Sequence, residues 1–230
     1  MSDYRLGFES LRQEIHEPNL RVTGDLPDWL SGTLIRNGPA QFEVGDQDYN
    51  HWFDGHAMLH AFRMGGGTVG YRNRFLETKS RMEALEAGEI VRSEFATDPC
   101  MSIFGRVMSV FNPKPTDNAS INVAQIDDAY VAITETPIPV EFDPETLETT
   151  GVVDYADDVD VPMSTAHPLV EPGTGRTITY LTDFGRQCQY HVATIEPGSR
   201  SRTVLATLDV DRPRYMHSFG MTERYVILAE

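Results

Sequence analysis

Hydrophobic and polar positions alternate in short runs along most of this chain, a pattern that predicts β-strands more than helices. From Ile121 onward, these runs follow one another at short intervals, separated by turn-forming Asp-Asp, Asp-Pro and Pro-Gly segments. Regular short strands of this kind predict an all-β sandwich, barrel or propeller, and the residues alone do not choose among them. The strands predicted here are residues 121–126, 130–135, 140–142, 149–154, 177–183, 188–195 and 203–208.

A hairpin is predicted in the first third of the chain. An Asp-Gly turn at Asp54 precedes an alternating run over residues 57–62, and three glycines at 65–67 lead into a second run over residues 68–76. A glycine-rich phosphate loop needs a helix after it, whereas strands flank this one, so a turn between strands is favoured.

Three weaker local patterns complete the secondary-structure prediction. Residues 26–32 contain Pro and Trp and end in Gly, which predicts a short helical turn closing at Gly32. Residues 33–35 predict a short strand broken by the Asn-Gly-Pro sequence that follows. Residues 81–89 contain good helix formers without a wide apolar stripe, which predicts at most a short surface helix.

An apolar segment over residues 101–111 leaves several interpretations open. Met101, Phe104, Met108 and Phe111 are near helical spacing, and the segment has one charge, Arg106. It is either a core helix, a buried strand, or a helix that lies in the membrane interface. Peripheral membrane contact through this segment and ordinary burial in the core therefore both remain open.

The composition is acidic, with 35 Asp and Glu against 19 Lys and Arg and a formal net charge of −16. Nucleic acid is disfavoured as a partner, because phosphate binding needs a basic patch. Only two of the bases are Lys, which fits a protein kept soluble in concentrated salt, although an ordinary acidic cytosolic protein remains the alternative.

The cellular location is predicted from what the sequence lacks. The two cysteines, Cys100 and Cys188, make neither a disulfide framework nor a thiolate metal site. The N-terminal residues lack the basic and apolar regions of a signal peptide, and no apolar run reaches the ~20 residues of a membrane helix. We therefore expect a soluble cytoplasmic protein, with or without peripheral membrane contact.

Two histidines and one glutamate occupy positions that invite a chemical interpretation. His167 precedes a proline, which biases its backbone to extended geometry and holds its imidazole at a strand or loop end. His217 lies among aromatic and small residues just before an apolar strand at residues 225–228. Glu135 ends an apolar strand, so its carboxylate is either exposed beyond the strand or holds a buried cation or imidazole. Each histidine alone is more often structural than metal-binding.

Three further histidines, His51, His56 and His60, lie close together around the predicted Asp-Gly turn. Their spacing allows a metal site. Imidazoles are, however, commonly hydrogen-bonding groups of the fold. We therefore interpret all three as structural.

Five ordered motifs carry a resemblance to the carotenoid cleavage oxygenases, over residues 26–230. The closest branch is the animal type, which includes the β-carotene oxygenases and the retinoid isomerase of the retinal pigment epithelium. That family's fold is a seven-bladed β-propeller capped by a helical dome, so the resemblance implies an incomplete propeller of roughly half the blades here. The motifs are Arg-Asn-Gly-Pro at 36–39, Phe-Asp-Gly at 53–55, Thr-Glu-Thr at 134–136, Thr-Ala-His-Pro at 165–168 and Tyr-Met-His-Ser-Phe at 215–219.

The resemblance also implies a site. The family binds ferrous iron with four histidines, of which His167 and His217 match the first two, and Glu135 matches a glutamate that orients the ligand at His217. A carboxylate in that role fixes the imidazole tautomer and raises its basicity. Phe95, Thr134 and Tyr215 match positions that line the substrate cavity. The implied cofactor is Fe(2+), and the implied reaction inserts dioxygen across a conjugated double bond of a carotenoid or apocarotenoid.

The family's other two ligand histidines lie beyond residue 230, so we expect residues 1–230 to be a single N-terminal portion of the propeller domain without the C-terminal blades. An exposed strand edge near Leu228 would favour pairing with another chain, for instance a complementing C-terminal one. We expect this portion to be inactive alone. The alternative functions are a non-catalytic β-rich module that binds apolar polyenes and a truncated product without function.

Overall fold

The computed structural model describes residues 4–99 and 115–230 of the 230-residue chain. These residues form two compact units. The first comprises the described residues up to Ile121 together with Asp143–Thr150, and the second comprises Asn122–Phe142 and Gly151–Glu230. The expectation of a single propeller portion over residues 1–230 stays a prediction.

The first unit contains an antiparallel four-stranded sheet with strand order β1-β6-β5-β2 and a separate small hairpin of β3 and β4. Two-residue turns join β3 to β4 and β5 to β6, and the second of these is the predicted glycine turn. The strands are β1 (His16–Glu17), β2 (Gly32–Gln41), β3 (Glu43–Val44), β4 (Gln47–Asp48), β5 (His56–Gly65) and β6 (Thr68–Phe75), and the helices are 3-10 helices at Tyr4–Phe8 and Trp52–Asp54 and the α-helix α1 (Lys79–Ala87).

The second unit contains most of the remaining strands, and the boundary between the units falls within β10. One sheet has the order β10-β9-β8-β7, and another has the order β11-β13-β14-β15 with β12 also paired to β13. The strands are β7 (Asn122–Ile126), β8 (Ala129–Ile133), β9 (Val140–Phe142), β10 (Thr149–Val152), β11 (Met163–Ser164), β12 (Leu169–Val170), β13 (Thr177–Asp183), β14 (Cys188–Ile195), β15 (Arg202–Val210), β16 (Gly220–Met221) and β17 (Val226–Ile227).

The all-β prediction is confirmed for the described residues, which are mostly β-sheet with one α-helix. β9, β13 and β14 have the predicted bounds. The predicted surface helix is also present as α1, which buries only Ser80 and Ala84. Thr78 caps its N-terminus through a hydrogen bond from Arg81 N, and Gly88 in the left-handed conformation ends it.

Two local predictions near the N-terminus are wrong. Residues 26–32 contain a single turn, closed by a hydrogen bond from Leu30 N to Pro27 O, but Gly32 begins β2 and does not end a helix. The Asn-Gly-Pro sequence does not break a strand, because β2 continues through it, with Pro39 opposite Ala57 of β5. β2 is an edge strand, where a proline without an N–H group leaves no ladder bond unmade.

A buried polar network organises the first unit around the Asp54-Gly55 turn. The Asp54 side chain is fully buried and accepts hydrogen bonds from Ala96 N at 3.1 Å and Thr97 Oγ1 at 2.6 Å. Asn118 accepts from Ala57 N at 3.0 Å and donates to Gly55 O at 3.0 Å. These contacts give the Phe-Asp-Gly motif a structural role in this chain.

Steric room explains the glycine of the same motif. A Cβ atom on Gly55 would lie 2.7 Å from the Phe42 ring and 2.9 Å from Pro39 Cβ. Any larger residue would therefore push these side chains apart at a fully buried turn.

The apolar segment at residues 101–111 lies outside the described residues, so the choice between membrane contact and core stays open. No helix within residues 4–99 and 115–230 is long and apolar enough to cross a membrane.

Candidate metal centre

Two histidines that are 50 residues apart in the sequence meet in the second unit. The Nε2 atoms of His167 and His217 lie 2.9 Å apart, and the ring centroids are 4.5 Å apart with an interplanar angle of 67°. The two imidazoles therefore point their outer nitrogens at one place.

The other ring nitrogen of His217 faces a carboxylate. Glu135 Oε1 lies 3.2 Å from His217 Nδ1 and also accepts a hydrogen bond from the Tyr215 hydroxyl at 2.8 Å. A carboxylate accepts hydrogen bonds and does not donate them, so it holds the His217 proton on Nδ1 and leaves a lone pair on Nε2. His217 is thereby set in the tautomer that a metal ligand needs.

Glu135 reaches this position because its strand ends early. β8 stops at Ile133, two residues before the predicted end, and the Glu135 carbonyl then accepts a hydrogen bond from Ser164 N at 2.9 Å. The Glu135 side chain is only 16% exposed. Of the two interpretations left open by the sequence, the structure shows the carboxylate held against an imidazole.

Backbone contacts to β13 and one asparagine position the His167 segment. Thr165 N donates to Tyr180 O at 3.0 Å, and Thr165 Oγ1 accepts from His167 N at 3.0 Å. Asn122 Nδ2 donates to Ala166 O at 3.0 Å and lies 3.3 Å from His167 Nδ1. The imidazole is thus fixed from both its backbone and its ring.

Two tyrosine hydroxyls from β13 and β14 position the His217 segment. The Tyr180 hydroxyl donates to Met216 O, and the Tyr190 hydroxyl accepts from Arg214 N at 2.6 Å. Tyr180, Tyr190 and Met216 form one buried cluster. The backbone next to His217 is therefore held to a rigid hairpin, although the His217 side chain itself is 49% exposed.

The electrostatics of the site keep its groups in useful protonation states. Burial lowers the pKa of His167 below the usual histidine value, and the imidazole of His217 lowers it further by a smaller amount. Glu135 acts in the opposite direction. His167 is therefore neutral near pH 7, the form in which an imidazole binds metal. Partial burial, and next the hydrogen bond to Glu135, raise the pKa of Tyr215 to about 12, so its hydroxyl remains a donor.

The predicted cavity residues divide between the two units. Thr134 and Tyr215 belong to the second unit, where Thr134 follows the end of β8 and is partly buried. Phe95 belongs to the first unit, where its ring lies 5.4 Å from that of Phe53 and 5.1 Å from that of His51. Their role towards a substrate stays a prediction.

Sequence reasoning missed three residues of the site: Asn122, Tyr180 and Tyr190. All three lie within runs that were interpreted only as strands. A polar or hydroxyl-bearing side chain in an apolar run needs a partner when it is buried, and this requirement was the available signal.

The histidine pair fits a metal ion in geometry and donor type. Two nitrogens bound about 2.1 Å from one ion at right angles are about 3.0 Å apart, close to the observed 2.9 Å. Within residues 4–99 and 115–230, no group of three or more His, Cys, Asp or Glu is placed to hold a metal ion. The described residues thus provide two converging nitrogen donors.

Three histidines of the first unit, His51, His56 and His60, form hydrogen bonds within the chain. His51 Nδ1 accepts from Phe53 N at 3.1 Å, His56 Nε2 lies 3.2 Å from the Tyr49 hydroxyl, and His60 Nδ1 lies 2.8 Å from the Tyr71 hydroxyl. These contacts agree with their interpretation as structural hydrogen-bonding groups.

Known proteins resemble this chain over nearly its whole length. The beta,beta-carotene 15,15'-dioxygenase of Rattus norvegicus is 36% identical over 242 residues, which cover 95% of this chain and 43% of that protein. The mitochondrial carotenoid-cleaving dioxygenase of Pongo abelii is 39% identical, with 91% of this chain and 41% of that protein covered. The chain therefore spans less than half the length of these relatives.

Solved structures agree with the sequence comparison. A glutamate-to-glutamine variant of the Synechocystis apocarotenoid oxygenase matches with a TM-score of 0.83 and 26% identity, covering 97% of this chain and 48% of that one. A cobalt-substituted form of that oxygenase matches with a TM-score of 0.81. A family model described as retinal pigment epithelial membrane protein matches residues 8–230. The chain belongs to this family, that of the carotenoid oxygenases.

Proposed function

We propose that this chain is part of a non-haem Fe(II) dioxygenase that cleaves a conjugated double bond of a carotenoid or apocarotenoid. In this proposal, His167 and His217 are two of the iron ligands. The observation that carries it is the 2.9 Å separation of their Nε2 atoms, with Glu135 on the far side of His217. The similar proteins are carotenoid-cleaving dioxygenases, which supplies the substrate class of the proposal.

The residues of this chain have distinct tasks in the proposed site. Neutral imidazoles and open coordination positions suit ferrous iron, and iron bound there would supply activation of dioxygen for cleavage of the double bond. Glu135 holds the His217 proton on Nδ1. Tyr215 in turn positions Glu135 through a hydrogen bond from its hydroxyl. The similarity to a cobalt-substituted oxygenase supports a first-row metal at this position.

Phe95, Thr134 and Tyr215 are proposed to line the cavity for the apolar polyene. The support is the match of these three residues to cavity-lining positions of the family, together with the nearness of Tyr215 to His217. The Tyr215 ring lies 6.4 Å from the His217 ring, so an aromatic surface adjoins the donors. Such a surface suits a conjugated hydrocarbon, which offers no hydrogen-bonding groups along its chain.

The sheets are proposed to be blades of a seven-bladed propeller. Propeller blades are four-stranded antiparallel sheets, and each unit contains a sheet of this size made from strands that are near one another in sequence. The relatives are more than twice as long as the part matched here, and we propose that their remaining length corresponds to the other blades and to the other two ligands.

Metal binding tests the ligand assignment. His167→Ala and His217→Ala should each weaken binding of Fe(II) or Co(II). The loss of affinity should exceed the ~10–100-fold caused by removing a residue that only orients a metal-binding histidine. His191→Ala is the matched control, because His191 lies on β14 and its Nδ1 is 2.9 Å from Thr207 Oγ1. Unchanged metal affinity in both site variants would remove His167 and His217 from the site.

Turnover tests the larger claim. Purified residues 1–230 with ferrous iron, dioxygen and β-carotene or an apocarotenal should form no carbonyl products at a sustained rate, because two histidines leave most of the coordination sphere to water. Co-expression with a segment that carries the missing ligands should restore product formation. Sustained turnover by residues 1–230 alone would require a different model of the metal site. Retention of polyene without metal binding would favour a non-catalytic binding module.

A further inference from the structure

A cavity of about 330 Å³ lies against one face of the four-stranded sheet of the first unit. In the strand register, Arg72 of β6 lies between Ala61 of β5 and His16 of β1. Residues directly opposite each other on paired strands share a face of the sheet, so these side chains project to the same side. Arg63 projects there too, because it is two residues beyond Ala61 on β5. The cavity wall therefore contains two arginines and one histidine.

Gly70 leaves room in this cavity. It lies opposite Arg63 in the register of β5 and β6 and forms part of the wall. A Cβ atom at this position would lie 3.1 Å from Pro18 O, which is tighter than ordinary van der Waals contact. A larger residue would press against the chain next to β1 and project to the cavity side of the sheet. The space is therefore maintained by a residue without a side chain.

Arg72 brings to the cavity a positive charge that forms no ion pair within the described part of the chain. Its Nη1 donates to the carbonyl oxygens of Glu145 at 3.4 Å and Thr146 at 3.2 Å. Its Nη2 lies 3.3 Å from both ring nitrogens of His16. A guanidinium has five N–H donors, so these contacts do not use all of them. Arg72 can therefore bind an anionic group without giving up a carboxylate partner.

Two glutamates, Glu17 and Glu145, are near the cavity wall and have other partners. Glu17 Oε1 accepts a hydrogen bond from Asn19 N at 3.2 Å. Glu145 pairs with Arg63, and both of these side chains are exposed. Exposed ion pairs contribute little to stability, so an anionic ligand can replace the Glu145 carboxylate at Arg63. The wall itself has two arginines and one glutamate, in a chain with a net charge of −16.

We propose that this cavity binds a small organic carboxylate, whose anionic group lies against Arg72 and Arg63. The planar guanidinium of arginine matches the geometry of a carboxylate and can form two parallel hydrogen bonds with it. Ala61, Met64 and the Tyr71 ring provide an apolar wall for the body of the ligand. Small-molecule sites begin at about 300 Å³ and combine apolar walls with a few polar groups. The proposal is independent of the histidine pair, which belongs to the second unit.

Benzoate is the probe for this site, because it combines a carboxylate with an apolar ring. Titration of the ¹⁵N-labelled chain should give saturable shifts of the amides around the cavity on β5 and β6. Arg72→Gln should weaken benzoate binding at least ~10-fold, the loss expected for one charge-assisted hydrogen bond. Arg74→Gln is the matched control. Arg74 lies on the same face of β6 but outside the wall, where it pairs with Glu148 at 3.0 Å, so this variant should keep its benzoate affinity.

A second variant tests the cavity without removing an arginine. Thr68 is at an exposed position of the wall, and Thr68→Phe fills space there without changing the charge. This variant should lose most of its benzoate binding by steric exclusion. Chemical denaturation of each variant shows whether it is folded, and Thr68→Phe decides the question if Arg72→Gln does not fold.

Neutral and inorganic probes complete the test. Benzyl alcohol, which has the ring but no charge, should bind at least ~10-fold more weakly than benzoate. The proposal would be overturned by absence of saturable benzoate binding, by equal losses in Arg72→Gln and Arg74→Gln, or by unchanged affinity in Thr68→Phe. Inorganic phosphate that binds as tightly as benzoate would also overturn it, because the apolar wall would then contribute nothing.

Discussion

Each unit contains a polar cluster with histidine and carboxylate side chains, and the two clusters differ in burial and in the direction of their imidazole nitrogens. In the first unit, Asp54 and His56 are fully buried, and Asp54 is bound by backbone and side-chain donors of its own unit. In the second unit, His217 is half exposed, and its Nε2 faces the imidazole of His167. The first cluster encloses its polar groups among neighbouring side chains and backbone groups, and the second directs two imidazole nitrogens at one point.

This difference separates a structural polar cluster from a site. Burial lowers the pKa of His56 to about 4, so the imidazole stays neutral and inaccessible. His167 is also neutral, but its Nε2 remains able to bind. The type of residue is the same in both places, and the direction of the free lone pairs distinguishes them.

Asn118→Ala should have the largest effect, on stability. The substitution leaves Ala57 N, Asp54 O and Gly55 O without their side-chain partner inside the first unit, and should lower the free energy of unfolding by about 4 kcal/mol. Chemical denaturation provides the measurement. Asn19→Ala at an exposed position should change stability by less than ~0.5 kcal/mol. A loss below ~1 kcal/mol in Asn118→Ala would mean that the network is not structural.

Acid should weaken the first unit through His56. Its folded-state pKa of about 4 lies below the ordinary 6.5, so the unfolded chain gains a proton that the folded protein does not. The contribution of neutral His56 to the free energy of unfolding is complete above pH 6.5 and is lost as pH falls to about 4. The loss is roughly 3 kcal/mol at most. His56→Gln should flatten this part of the stability curve, measured by denaturation at several pH values.

Two controls sharpen the acid experiment. His16→Gln, at an exposed position, should leave the slope unchanged. Glu94 has the opposite effect on stability. Burial raises its pKa to about 8, so its ionisation increasingly lowers the free energy of unfolding as pH rises above about 4.5. The difference between the wild type and His56→Gln at each pH removes this contribution. If the free energy of unfolding of His56→Gln still falls as steeply between pH 6.5 and 4, other groups cause the acid sensitivity.

Glu135→Gln should have the smallest effect on stability and a selective effect on metal. An amide accepts a hydrogen bond less strongly than a carboxylate, so metal affinity should fall by ~10–100-fold while the free energy of unfolding changes by less than ~1 kcal/mol. Parallel metal titration and denaturation give both values. Glu223→Gln on the surface should change neither. A stability loss comparable to that of Asn118→Ala would place Glu135 with the structural cluster.

The alternating pattern predicted strands well where local sequence decides the structure. β9, β13 and β14 were predicted to the residue because turn-forming sequences bound them on both sides. The prediction failed at Pro39, where the edge position of β2 tolerates a proline that would end a central strand. Such tolerance depends on sheet order, which single-sequence patterns do not contain.

The sequence predicts the candidate site as a set of motifs, and the metal-binding role of those motifs stays a prediction. Glu135 was assigned to His217 from the resemblance, and the structure places them in contact. The roles of Asn122 and Tyr180 were missed, because their contacts join residues that are 36 to 45 positions apart in the sequence. No local pattern encodes those partners, so only the tertiary structure shows how the histidines are held.

The hairpin of β13 and β14 has a consequence for the order of folding. Its contacts are local in sequence and should form early, whereas the Tyr180 and Tyr190 hydroxyls can hold the His217 segment only once that segment docks. The approach of His217 to His167 is therefore expected among the last events of folding in the second unit. Before that segment docks, the two imidazoles are apart and cannot bind one metal ion together.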